Sequence, residues 1–273
     1  TVLTIILLIS LDAYIQLFTE KNILGFIKED PKRLSGLFGD EYILGSYLLK
    51  FSPLIFFLSP ENKKINNILI IIFLIIIEPL IFFAGQRSQL IMSVCMILGL
   101  FLINLKNKFF YVSLIISILI IFFNLNFNQK YHERYIYDVK ANFSYENKIQ
   151  SNNNNITEKK FNFSIISPPH TQIYYNSYLL FRDKPYFGHG IKSYRETCKN
   201  FNEKGCSTHP HNFYLQLLAE TGFFVFLFLL IFYIKLIKDF YKIFIKSLTN
   251  KKNINKKYFS CLNLLIILFP LQT

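Results

Sequence analysis

The chain has 273 residues, 52% of them hydrophobic, with 31 Phe, 17 Tyr and a formal net charge of +13. Several apolar runs reach the ~17–20 residues of a bilayer-spanning helix, which excludes an ordinary soluble domain. The positive charge sorts between short connections rather than forming an aromatic-interleaved basic module, which sets nucleic-acid binding aside.

Seven spans are predicted, at about 1–18, 42–59, 67–83, 88–104, 109–125, 213–234 and from about 258 onwards. Lipid leaves open backbone groups without partners, so the spans are helices. The expected fold is all-α: a polytopic transmembrane helix bundle with a long, partly helical outer loop. Residues 1–125 hold five spans and short loops, 126–212 form the loop, and 213–273 hold the C-terminal spans. Thr1 lies inside one apolar run and Thr273 ends another, so the chain reads as a fragment truncated at both ends.

The first three spans each carry an ionisable residue: Asp12, Lys50 and Glu78. At 1.5 Å per residue all three lie roughly 8–12 Å below the outer end of their helix. Charge at that depth is costly unless paired or facing a cavity. Two readings stay open: an ion-pair set that holds the bundle together, or the floor of an outward-facing cavity.

Connections 60–66, 105–108 and 235–257 are rich in Lys and contain only Glu61 and Asp239 as acids. Short Lys-rich loops face the cytoplasm. By alternation, 19–41, 84–87 and 126–212 lie outside. The least lipid-like motifs all fall on that side: residues 33–41, then Gly85-Gln86-Arg87-Ser88, then 209–220.

Within the long loop, 141–162 is polar and Asn-rich and reads as a flexible insert. From His170 to Arg195 the pattern changes. Ile173, Tyr174, Ser177, Tyr178, Leu180 and Phe181 recur at helical spacing and predict a surface helix over the membrane face. The stretch 185–190 then turns the chain. Cys198 and Cys206 follow, as either a disulfide or two unpaired thiols. Cys95 and Cys261 lie in apolar runs and read as packing residues.

After the loop comes Ser207-Thr208-His209-Pro210-His211-Asn212-Phe213. Thr208 can cap a helix and Pro210 is tolerated in a first turn. His209 and His211 are therefore expected at a helix N-terminus, where N–H groups and the dipole favour an anion.

No metal-ligand spacing, Walker-type loop or Gly-x-Ser-x-Gly elbow is present. What remains is Arg33 and Arg87 with a His-bearing helix start on the outer side. Arg forks bind phosphate oxygens bidentately. The chemistry that fits is displacement of a lipid pyrophosphate, with His as general base on an incoming hydroxyl.

The ordered set resembles the O-antigen ligase and O-antigen polymerase superfamily of bacterial inner membranes. It comprises 33–41 with Gly45-Ser46-Tyr47-Leu48, Gly85-Gln86-Arg87-Ser88, Asp183-Lys184-Pro185-Tyr186-Phe187-Gly188-His189-Gly190, and 206–222. The resemblance implies a glycosyltransferase with a periplasmic active site that needs neither metal nor nucleotide sugar. It moves a glycan from undecaprenyl pyrophosphate to a lipid A-core or other glycan acceptor. His211 looks like the family's catalytic His, followed by the polar Asn212, and Arg33 and Arg87 look like its pyrophosphate contacts. His209, Asn212 and Glu220 complete the candidate substrate-binding set. Polymerase and protein-glycosylating members share these motifs. A rival of another class is a transporter that uses Asp12, Lys50 and Glu78 as an ion path; the sequence shows no internal repeat of the kind many transporters carry.

Overall fold

The computed structural model describes residues 2–58, 62–137, 168–201, 206, 210, 212–249 and 255–267. Among these it is all-helical, with one isolated β-bridge between Lys21 and Ile27. The helices are α1 (Val2–Thr19), α2 (Leu44–Leu58), α3 (Lys63–Phe83), α4 (Arg87–Ile103), α5 (Lys108–Phe127), α6 (Pro168–Asp183), α7 (Tyr194–Phe201), α8 (Phe213–Thr249) and α9 (Asn255–Ile267).

Four are long and apolar enough to cross a membrane: Val2–Thr19, Lys63–Phe83, Lys108–Phe127 and Phe213–Ile243. Two further predicted spans are shorter apolar helices, Leu44–Leu58 and Arg87–Leu102. With 15 residues α2 covers about 22 Å, less than the roughly 30 Å hydrocarbon core.

The chain divides into two compact units, Thr1–Asp138 with Ile237–Ile267 and Val139–Leu236 with Leu268–Thr273. In the first, α3 widens into a π-helix over Ile72–Ile77 just before Pro79. Proline has no N–H for the α-ladder, and the Glu78 N–H bonds to the Phe73 carbonyl instead. Phe56 of α2 stacks on Phe259 of α9 at 4.9 Å, and the Tyr258 hydroxyl donates to the Gly99 carbonyl at 2.9 Å. Leu44, Leu48, Ile77 and Leu80 are fully buried in this unit.

Residues after α5, assigned to the loop from sequence, are helical through Gln129–His132 and Glu133–Tyr137. They belong to the first unit because Tyr131 and Tyr135 pack their rings on Phe82 at 5.3 and 4.8 Å.

The second unit contains the predicted surface helix as α6. Its buried face is Ile173, Asn176, Ser177 and Leu180, while Tyr178, placed in the same stripe from sequence, is exposed. Leu180 packs with Tyr194, Cys198 and Ala219. The short α7 has no counterpart among the predicted elements. The predicted continuous span 213–234 is broken at Gly222, whose φ of 75° and ψ of −171° are non-helical. The stretch 223–243 still offers about 20 apolar-rich residues, enough to span.

Candidate functional site

In the first unit the residues singled out from sequence gather around the α3–α4 turn. Gly85 has φ 69°, and a Cβ there would lie 2.8 Å from the Lys32 carbonyl and 2.9 Å from Arg33 Cγ. Only glycine lets the 30–36 segment approach so closely. Gln86 then ties the turn to α2. Its Oε1 accepts from the Ser46 N–H at 2.9 Å and its Nε2 donates to the Tyr42 carbonyl.

Arg87 opens α4. Its Nη2 and Nε donate to the Arg134 carbonyl at 2.8 and 3.2 Å. Arg134 in turn donates from Nε to the Gly85 carbonyl at 3.0 Å. The Arg33 guanidinium lies 4.0 Å over the Tyr42 ring, and its Nε is buried with no hydrogen-bond partner. Burial and then the charge of Arg134 push the Arg33 guanidinium below its ordinary value. Burial likewise raises the Tyr135 phenol, while Arg134, Arg87 and Arg33 pull it down.

Three arginines thus share one turn. Like charges held together, one with a buried orphan donor, make a place where an anion is stabilised. Arg134 was not singled out from sequence. The signal lay in Tyr131 and Tyr135, an i, i+4 aromatic pair that anchors the stretch to Phe82. Nearby, Lys32 pairs with Glu133 at 3.0 Å, and that bond, with one from Gln129, holds the Glu133 carboxyl below its usual range.

The three ionisable residues inside spans are held separately. Asp12 is fully buried and its Oδ1 accepts from the Ile23 N–H at 2.9 Å. Glu78 Oε1 accepts from the Ser93 hydroxyl at 2.7 Å, and Oε2 has no hydrogen-bond partner. Lys50 is half-buried on α2. Among the described residues no ion pair joins these three.

In the second unit, α8 begins at Phe213, later than the sequence reading placed it. The cap is Asn212, whose Oδ1 accepts from the N–H groups of Tyr214 and Leu215 at 3.0 and 3.1 Å. Pro210 precedes the helix and does not sit in its first turn. His209, His211 and Thr208 lie outside the described residues.

Glu220 is 7% exposed and its carboxylate is taken up inside the unit. It accepts from the N–H groups of Lys192 and Tyr194 at 3.0 and 3.4 Å and from Gln216 Nε2 at 3.1 Å. A carboxylate there also favours the positive N-terminus of α7. His189, not assigned a role from sequence, donates from Nε2 to the Leu180 carbonyl at 3.0 Å and lies 3.5 Å from Asp183 Oδ2. It closes the C-terminus of α6. Cys198 and Cys206 are joined in a disulfide with Cα atoms 5.8 Å apart. Among the described residues no three His, Cys, Asp or Glu side chains are grouped to hold a metal ion.

The family model described as O-antigen ligase matches residues 69–230, well over half of the chain. No curated protein and no solved structure matches it.

Proposed function

The chain belongs to the O-antigen ligase family, and on that premise we propose that it transfers a glycan from undecaprenyl pyrophosphate to a lipid A-core or other glycan acceptor. The reaction takes place on the periplasmic side of the bacterial inner membrane. Family members are ligase-type glycosyltransferases, and four helices here are long and apolar enough to cross a membrane.

The observation that carries the reading is the grouping of Arg33, Arg87 and Arg134 around the Gly85 turn, with the Arg33 Nε donor buried and unpartnered. Guanidinium groups bind pyrophosphate oxygens through charge-assisted, often bidentate hydrogen bonds. The acceptor hydroxyl oxygen forms the new bond to the anomeric carbon. The bond from that carbon to the pyrophosphate oxygen breaks, and its electron pair leaves with the pyrophosphate. His211 takes the hydroxyl proton, and the arginines stabilise the charge gained by the leaving group. The role of His211 rests on the resemblance and on its position directly before the Asn212 cap. Asn212 and Glu220 act through the backbone they hold.

A polymerase would use the same chemistry with a growing glycan as acceptor, and a protein-glycosylating member would use a protein hydroxyl or amide. Lipopolysaccharide banding of a deletion strain, with and without the full-length gene restored, separates the first two. Loss of every capped band marks a ligase, and a single-repeat band marks a polymerase. An unchanged pattern counts against both.

A further inference from the structure

The connection from α1 to α2 does not rise away from the end of its helix. α1 ends at Thr19, and Glu20 takes a φ of 62°. The chain then doubles back, and the Ile23 N–H meets Asp12 Oδ1 at 2.9 Å. Asp12 lies about two turns, or roughly 10 Å, below the end of α1. Gly36 makes the same return: its N–H donates to Gln16 Oε1 at 2.8 Å. The segment therefore runs beside the last turns of a helix long enough to cross a membrane, at their depth.

The turn is built for that depth. The Lys21–Ile27 bridge closes it. The Asn22 N–H donates to the Phe26 carbonyl at 3.1 Å, Gly25 to Asn22 at 3.0 Å, and Lys28 to Glu20 at 2.9 Å. The buried Asn22 side chain accepts from the Phe26 N–H at 2.7 Å and donates to the Gly36 carbonyl at 2.9 Å. Of the seven N–H groups from Asn22 to Lys28, those of Asn22, Ile23, Gly25, Phe26 and Lys28 thus have partners inside the protein, and those of Leu24 and Ile27 stay open among the described residues. Pairing five of the seven donors lowers the cost of bringing the turn into the leaflet, where an open backbone group is expensive. The side chains point the other way: Ile23, Leu24, Phe26 and Ile27 are 60%, 66%, 44% and 62% exposed.

We propose that residues 22–27 form a re-entrant tip immersed in the lipid leaflet beside α1. Ile23, Leu24, Phe26 and Ile27 contact lipid acyl chains, and Lys21 and Lys28 stand at the level of the headgroups. Asp12 sets the depth of the tip by holding the Ile23 N–H. This assignment is independent of the transfer reaction.

The chain has no Trp, so one introduced Trp reports one position. Leu24→Trp and Ile27→Trp are made in the whole chain and reconstituted in phosphatidylcholine vesicles with lipid brominated on the acyl chains. Phe122→Trp, on an exposed position of α5, is the in-membrane reference. Both tip variants should show blue-shifted emission, quenching by bromolipid similar to the reference, and several-fold less quenching by iodide than free tryptophanamide. Asp12→Ala in the Leu24→Trp background should raise iodide access several-fold, whereas Asp12→Asn keeps an acceptor and should leave it unchanged. Strong iodide quenching with no bromolipid quenching at both positions would overturn the tip. No response to Asp12→Ala would overturn its anchor.

Discussion

The backbone just before Gly222 fills the side-chain space of Gly188, and the backbone just before Gly188 fills that of Gly222. A Cβ on Gly188 would lie 2.4 Å from the Glu220 carbonyl, and one on Gly222 would lie 2.4 Å from the Tyr186 carbonyl. Around this contact the His189 and Gly190 N–H groups donate to Ala219 and Glu220 at 3.1 and 2.8 Å, and Phe223 donates to Pro185 at 2.7 Å. The break in α8 is therefore a docking point for the 185–190 turn, and the N–H it frees is satisfied there. Gly222→Ala meets both positive-φ strain and a backbone clash, so its cost should exceed the roughly 1–3 kcal/mol of strain alone. Gly190→Ala meets only the strain, because nothing lies within 4 Å of its added Cβ. Limited proteolysis of the detergent-solubilised variants should show Gly222→Ala and Gly188→Ala cut much faster than Gly190→Ala. Equal rates would sink this account.

The Cys198–Cys206 bond closes a short loop beside Leu180, Tyr194 and Ala219. Its loss should cost on the order of 2–3 kcal/mol locally. Both thiols should resist alkylation until a reductant is added, read by mass spectrometry of the labelled peptides. Labelling of both without reductant would contradict the bridge in the native protein.

The Lys asymmetry predicts that 126–212 lie outside the cytoplasm. A periplasm-dependent reporter fused at Asn153 should be active. A fusion there that behaves as cytoplasmic would remove the periplasmic site from the proposal.

Much of this was legible from sequence where one rule dominates. Apolar runs longer than about 17 residues fixed most helices, and α6 followed from its spacing. The rest depended on contacts between distant segments. Pro79 announces a disturbance in α3 but not a π-helix, and Gly222 announces a weak helix position but not the turn that docks on it. Asn212 was singled out beside His211, yet its part as a cap shows only once the helix start is placed. Glu220 looked like a residue open to substrate because two of its three partners are backbone N–H groups 28 and 26 residues earlier in the chain. Arg134 was hidden for the same reason, since its partners Gly85 and Arg87 lie on a different helix pair.

Arg134 should matter to donor binding in two separable ways. Its carbonyl holds Arg87, and its guanidinium adds charge and ties down Gly85. Arg134→Ala keeps the carbonyl and removes the charge. A charge-assisted hydrogen bond is worth about 1.5–3 kcal/mol, so binding of a pyrophosphate-linked donor should weaken by roughly 10- to 100-fold. Arg134→Lys should recover part of this, as the charge returns without the fork. Calorimetry or a filter assay on the purified protein reads both. Unchanged affinity in Arg134→Ala would take Arg134 out of the site.

Arg87 and His211 should fail differently. Arg87 is proposed to hold the pyrophosphate in the ground state and more strongly as charge develops on departure. Arg87→Lys keeps a charge but loses the planar fork and its two-pronged hold on the Arg134 carbonyl, so donor binding and transfer should fall together. His211 is proposed to take the acceptor's proton, a step that does not touch donor affinity. His211→Ala should leave donor binding nearly intact and lower transfer by about 10²–10⁴-fold. His211→Gln should not restore it, because an amide does not accept a proton at neutral pH. His209→Ala serves as the internal control, with a milder loss expected. Glycan transfer by purified full-length protein, with donor binding measured separately, gives both numbers for each variant. Wild-type transfer in His211→Ala with none in His209→Ala would reverse the two roles. If both variants transfer normally, the proton goes elsewhere, and the helix start capped by Asn212 serves the fold alone.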